Sequence, residues 1–129
     1  MTAKHYRELV VWQKAMDLVQ EVYEITRRFP KEEVFGLTSQ VRRAAVSIRS
    51  NIAEGQSRGR REFIHFLSIA KGSLSEVETQ IAIALRLGYV KAADTARLDG
   101  LAAEVGKLLN GLSRSIEKLA TGHRQLATV

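Results

Sequence analysis

The sequence predicts an all-α fold, an antiparallel up-down-up-down four-helix bundle formed by one domain over residues 1–129. Three observations predict it. Apolar residues recur at alternating spacings of three and four through four long stretches, the pattern of one helix face. No segment alternates with period two between turn signals, so no strand is expected. The chain also has one proline, Pro30, which leaves long stretches free to remain helical.

The first helix is placed at about 5–29, ending before Pro30, because proline cannot continue the backbone ladder. Val11, Ala15, Leu18, Val22, Ile25 and Phe29 form one stripe, and Leu9, Trp12, Met16, Val19 and Tyr23 form a second beside it. The second helix, about 33–55, carries Val41, Ala45, Ile48 and Ile52 and ends at Gly55, a residue suited to a left-handed C-terminal position. Small residues Ala44, Ala45 and Ser47 let a neighbouring helix come close. The third helix, about 59–88, repeats Phe63, Leu67, Ala70, Leu74, Val77, Ile81 and Ala84 and closes at Gly88. Its second stripe is Phe66, Ile69, Ser73, Gln80, Ile83 and Leu87. Asp94 or Thr95 caps the fourth, about 94–121, with Leu98, Leu101, Val105, Leu108, Leu112, Ile116 and Leu119 facing inward and a frayed tail after Gly122. Helices one and three are roughly 25 to 30 residues, or about 40 Å long, so the bundle is thin. Doubled stripes on these two helices exceed what one seam requires and imply self-association.

Composition narrows the function classes. Apolar residues make up 45% of the chain, which excludes a disordered protein. With no cysteine there are no disulfides and no thiolate metal sites, as suits an intracellular protein. The polar opening lacks a secretion signal, and no apolar run approaches the roughly 18 residues of a membrane span. A cytoplasmic location without a membrane partner is expected. The net charge is +6, and six arginines against Glu54 alone place +5 of it between Arg42 and Arg61. Arg42, Arg43, Arg49, Arg58, Arg60 and Arg61 are therefore the candidate contacts for an anionic partner, RNA or DNA. A solvated basic corner is the alternative.

Catalytic motifs do not survive their context. Gly55-Gln56-Ser57-Arg58-Gly59 fits G-x-S-x-G, but a nucleophile elbow needs a strand, a tight turn and a helix, with an acid and a histidine arriving later. Glu62 and His65 form a Glu-x-x-His pair, yet a di-iron bundle needs two such pairs and two further glutamates. No phosphate-binding glycine motif is present. No catalytic residue, metal ligand or cofactor is expected, and the chain reads as a non-enzyme. Asn51 and Glu54 read as capping and ion-pairing groups, with Glu54 pairing one of the arginines. Arg58, Arg60 and Arg61 precede or open the third helix, whose free N–H groups favour an anion. Phe63 and Phe66 lie on apolar stripes, so backbone contact rather than base stacking is expected.

The strings LVVWQKA (9–15), QVRRAAVSIRSNIAEG (40–55) and EFIHFLSIAKGSLSEVETQ (62–80) resemble the four helix bundle protein family, named for proteins encoded in intervening sequences of bacterial 23S rRNA genes. The resemblance runs from residue 6 to about 120. It implies a cytosolic bundle that assembles as a homopentamer, a ring of five bundles. It also implies kinship with the accessory protein of diversity-generating retroelements, which binds nucleic acid and a reverse transcriptase through a basic surface. Two functions follow: a non-catalytic nucleic-acid-binding oligomer, or a scaffold presenting helix faces to a partner protein such as a polymerase.

Overall fold

The computed structural model describes residues 5–127, with side chains as far as Leu119. Met1–Lys4, Thr128 and Val129, which the expected domain includes, lie outside the described residues. The described chain is all-α, with α1 at Val10–Thr26, α2 at Leu37–Gln56, α3 at Arg60–Arg86 and α4 at Ala92–Ala127. Short 3-10 turns at Tyr6–Glu8 and Lys31–Glu33 precede α1 and α2. Each helix packs on its neighbours in the order α1–α2–α3–α4–α1, and α2 and α3 share the most extensive contact.

The helix ends differ from the sequence reading for local reasons. Leu9 is extended (φ −72°, ψ 126°), so α1 begins at Val10 rather than near His5. Its other end tightens past Thr26, where Arg27, Arg28 and Phe29 N–H groups donate three residues back to the Glu24, Ile25 and Thr26 carbonyls. Thr26 Oγ1 also donates to the Tyr23 carbonyl at 3.1 Å. Phe29, three residues on, stands before Pro30, a place that disfavours the helical region. On the far side of Pro30, the Glu33 carboxylate accepts the Leu37 N–H at 3.1 Å. That bond satisfies a free donor of the first turn and starts α2 at Leu37 rather than near Glu33.

Gly55 does not take the left-handed position expected of it. It lies inside α2, and among the described residues Gly88 alone has positive φ, 77°. A Cβ at Gly55 would stand 2.7 Å from the Cβ of Phe66 and 2.8 Å from Cδ1 of Phe63. Here glycine serves the approach of α3. Gly88 does close α3: Tyr89 N–H bonds the Ala84 carbonyl and Gly88 N–H the Leu85 carbonyl, the paired bonds of a Schellman end.

At the start of α4, Asp94 acts from the first turn rather than as the flanking cap. Its Oδ2 accepts the Lys91 N–H at 2.9 Å, as the acid of a capping box does. Helix α4 then runs through Gly100, Gly106, Gly111 and Gly122 to Ala127. Each interior glycine costs only about 1 kcal/mol relative to alanine, so Gly122 does not stop it.

The principal stripes form the core. Val11, Ala15, Leu18, Val22, Ile25 and Phe29 are all buried, as are Leu67, Ala70, Leu74, Val77, Ile81 and Ala84. In α4 the buried face is turned from the expected one. Ala102, Leu109 and Ser113 are buried with Leu98, Val105 and Ile116, while Leu119 is exposed. The second stripes stay partly open: Met16, Tyr23, Ile69, Ile83 and Leu87 are exposed. Three ion pairs cross from α1 or its end to α4: Lys14–Glu104, Glu21–Arg97 and Arg28–Asp94. Among the described residues no helix is long and apolar enough to cross a membrane.

Candidate functional site

The six candidate arginines occupy the outer side of α2 and the corner that leads into α3, and they stand in different electrostatic states. Arg58 is the most committed. Its Nε and Nη2 both donate to Oε1 of Glu54, and its Nη1 donates to Oε2 of Glu62 at 3.2 Å. The guanidinium carbon also lies 5.5 Å from the centre of the Phe66 ring. The hydrogen bond to Glu54, then that to Glu62, hold its pKa above the ordinary arginine value. Arg58 is thus the arginine that Glu54 selects, and the pair fastens the turn. Two carboxylates neutralise it.

Arg60 and Arg61 open α3 and are exposed, as is Arg43 on the outer face of α2; Arg49 is half-buried. Among the described residues none of these four makes an ion pair. Arg42, half-buried, also lacks a carboxylate partner, but its plane is fixed. Its Nε donates to Thr26 Oγ1 at 2.8 Å, and its guanidinium carbon lies 4.5 Å from the centre of the Tyr23 ring. Sequence reasoning missed Tyr23 and Thr26 because they sit on α1, and only packing brings them to Arg42.

The residues of the two catalytic motifs make other contacts at the corner. Ser57 Oγ donates to the Glu54 carbonyl at 2.8 Å. Glu62 faces Arg58, and His65 stands edge-on to Phe66 with ring centres 5.7 Å apart. Among the described residues no three His, Cys, Asp or Glu side chains gather where a metal could be held. Asn51 does not cap the helix end. Its Nδ2 donates to Ser47 O at 2.8 Å and Ser47 Oγ at 3.0 Å, and Ser47 Oγ meets Ser73 Oγ at 2.8 Å. This hydroxyl–amide set lies in the close α2–α3 contact, where the small residues 44, 45 and 47 were expected to admit a neighbour.

Of the aromatic side chains near the arginines, Phe63 packs on the core and Phe66 lies beneath Arg58. Phe35, in the α1–α2 connection, is 95% exposed. Nothing in its apolar pattern distinguished it beforehand, because it belongs to no stripe.

The sequence matches the 23S rRNA-intervening sequence protein family over residues 7–111. Among solved structures, the chain is similar to a protein of unknown function from the S23 ribosomal protein family of Bacteroides thetaiotaomicron. The two are 24% identical, with a TM-score of 0.72 over 81% of this chain and 98% of that one. At that identity the likeness speaks for the fold. No curated protein matches the chain.

Proposed function

Given that the chain belongs to the 23S rRNA-intervening sequence protein family, we propose that it is a cytoplasmic, non-catalytic oligomer that binds the backbone of RNA or DNA through its α2 and corner arginines. One observation carries the reading. In the segment that holds +5 of the +6 net charge, the single acid is spent on Arg58, and among the described residues Arg43, Arg49, Arg60 and Arg61 make no ion pair, although Arg43 shares a groove with Glu76. Unpaired guanidinium groups raise the local potential and attract phosphates. The reading includes the kinship that the sequence resemblance implies, with the accessory protein of diversity-generating retroelements.

The proposal includes the antiparallel bundle. Its support is the contact register: Lys14 meets Glu104 while Glu21 meets Arg97. Likewise Gln40 lies by Gln80 while Ser47 lies by Ser73. In both pairs one number rises as the other falls. It also includes assembly into a ring-like homopentamer. The exposed Ile69, Ile83 and Leu87 on α3 support self-association, and the number five rests on the family resemblance.

Fluorescence polarisation of a labelled single-stranded RNA across a salt series tests the nucleic-acid reading. Removing one phosphate contact lowers the salt slope by about 0.7 for a single strand, so Arg60→Gln/Arg61→Gln lowers it by about 1.4. Binding indifferent to salt, or unchanged in Arg43→Gln/Arg60→Gln/Arg61→Gln, rejects the reading. A second reading, a scaffold for a partner such as a polymerase, is favoured by the nearly complete exposure of Phe35. A partner protein retained after nuclease treatment and absent with Phe35→Ala, together with no affinity for purified RNA, selects it.

A further inference from the structure

The grooves beside α2 differ in their charge: the one on the α3 side, lined by Arg43, Gln40 and Gln80, also holds Glu76, whereas two on the α1 side hold no acid. One, of about 520 Å³, runs over α2 past Tyr23, Thr38, Ser39, Arg42 and Arg43. A second, of about 380 Å³, adjoins it at Arg42, Thr38 and Val34 and reaches Lys31 and Pro30. Three cations line the two grooves, Lys31, Arg42 and Arg43, and no carboxylate does. Hydroxyl groups of Thr38 and Ser39 are on the same walls, and Tyr23, Val34 and Val46 supply apolar surface.

Arg42 stands where the grooves meet, and it differs from Arg58 in one respect. Each guanidinium lies over an aromatic ring, Phe66 for Arg58 and Tyr23 for Arg42. Arg58 is neutralised by two carboxylates, as a structural arginine normally is. Arg42 has instead one hydrogen bond, from Nε to Thr26 Oγ1, and Thr26 is buried and held in turn by the Tyr23 carbonyl. Its two terminal amino groups have no partner among the described residues. A planar fork fixed at its Nε edge, still charged and open along its outer edge, is arranged for an oxyanion that accepts two parallel bonds. The freezing of side-chain motion that normally opposes such a contact has already occurred on folding.

We propose that this α1–α2 groove is a phosphate-binding site, with Arg42 as the fixed fork and Arg43 and Lys31 as flanking charges. The phosphate can belong to a nucleic-acid backbone or to a free phosphorylated molecule. The inference rests on the nucleic-acid reading only for the first source. Tyr23 is a positioning residue, since it holds the guanidinium plane.

Nuclear magnetic resonance of arginine Nε–H groups in the labelled protein tests the proposal. The Arg42 signal is assigned by its disappearance in Arg42→Lys. Titration with inorganic phosphate moves it, and acetate at matched ionic strength moves it much less. Arg42→Lys keeps the charge but loses the fork, and weakens phosphate binding about tenfold. Arg43→Gln, an exposed change that leaves the fold alone, weakens it roughly threefold or more. Tyr23→Leu weakens it about threefold with Arg42 and Arg43 intact.

A single-stranded RNA then separates the sources. If RNA and phosphate both move Arg42, the backbone is a ligand of this groove. If phosphate moves it and RNA does not bind, the groove serves a small phosphorylated molecule and the nucleic-acid reading fails. RNA binding with Arg42 unmoved and Arg43→Gln harmless overturns the groove while the nucleic-acid reading stands. An equal response to acetate overturns the choice of phosphate, and no response to any probe overturns the site.

Discussion

Replacing Gly55 by alanine should destabilise the protein, although alanine is the better helix former. Within a helix the exchange gains about 1 kcal/mol from backbone entropy. Against this, the new methyl would lie 2.7 Å from Phe66 Cβ and 2.8 Å from Phe63 Cδ1. Phe63 can turn its ring, but the Cβ of Phe66 is bound to the α3 backbone and cannot move alone. The two helices must therefore part where they pack most extensively. Overpacking of this kind costs about 1–3 kcal/mol, and the fixed position of Phe66 Cβ places it at the upper end. The net loss is about 2 kcal/mol. For a chain of 129 residues that lowers the melting temperature by roughly 8 °C, at about 4 °C per kcal/mol. Gly72 is the control: it lies in α3, exposed, with nothing within 4 Å of an added Cβ. Gly72→Ala should raise the melting temperature by about 2–4 °C. Thermal unfolding followed by circular dichroism, at one protein concentration, reads both. A Gly55→Ala protein as stable as the parent would refute the close-approach account of this glycine.

Other contacts make three further expectations testable. Glu33 is held below the ordinary carboxylate pKa, chiefly by the hydrogen bond from the Tyr89 hydroxyl at 2.7 Å and next by the Leu37 N–H. A group whose pKa falls on folding contributes stability present above its unfolded pKa, near 4.3. It is lost as pH falls through the folded value, so Glu33→Gln should flatten the acid limb of melting temperature against pH, and an unchanged limb would reject the assignment. Ser73→Ala removes the bond to Ser47 Oγ inside the α2–α3 contact and should cost about 1 kcal/mol in denaturant unfolding. Ser47→Ala, which also removes the acceptor of Asn51, should cost more, and simple additivity of the two would deny their coupling. Light scattering should give about 72 kDa, five chains of 14.4 kDa, falling towards one chain in Ile83→Glu. A monomeric parent, or an assembly untouched by that charge, would count against the proposed interface.

What could be read from sequence and what could not divide along physical lines. The core stripes of α1 and α3 were legible because a helix must bury one face, and spacing of three and four names it. In α4 leucines recur on neighbouring faces, so period alone could not tell Leu101 from Leu109. Packing chose Leu109, with Ala102 and Ser113 beside it. Gly88 was legible as a terminator, whereas Gly55 looked the same and has another purpose. The difference is the phenylalanine that arrives from another helix. The arginine concentration was plain in the sequence, yet its sorting was not. Glu54 and Glu62 lie four residues on either side of Arg58, so the pairing was close at hand in the sequence although Arg58 stands in the turn between α2 and α3. Tyr23 and Thr26 lie more than a dozen positions before Arg42, and no local pattern announces their contact with it.

The sorting of the arginines bears on how one small bundle could hold a polyanion. Arg58 adds nothing to attraction at a distance, since Glu54 and Glu62 screen it where it stands. Apart from the half-buried Arg49, the remaining charge is divided between the α2 groove, with Arg42 and Arg43, and the head of α3, with Arg60 and Arg61. Positions 43 and 60 are separated by most of α2's length after Arg43, about 20 Å at 1.5 Å per residue. That span exceeds the Debye length of about 8 Å at physiological ionic strength, so a single phosphate cannot profit from both clusters. A polymer can, because binding at one cluster makes the second contact intramolecular and raises its effective concentration. In the proposed ring the same two clusters recur on every copy, and the multiplication continues from chain to chain. The exposed apolar stripe of α3 is then coupled to the arginines although it touches no anion. By joining the copies it would turn pairs of weak contacts into one avid surface.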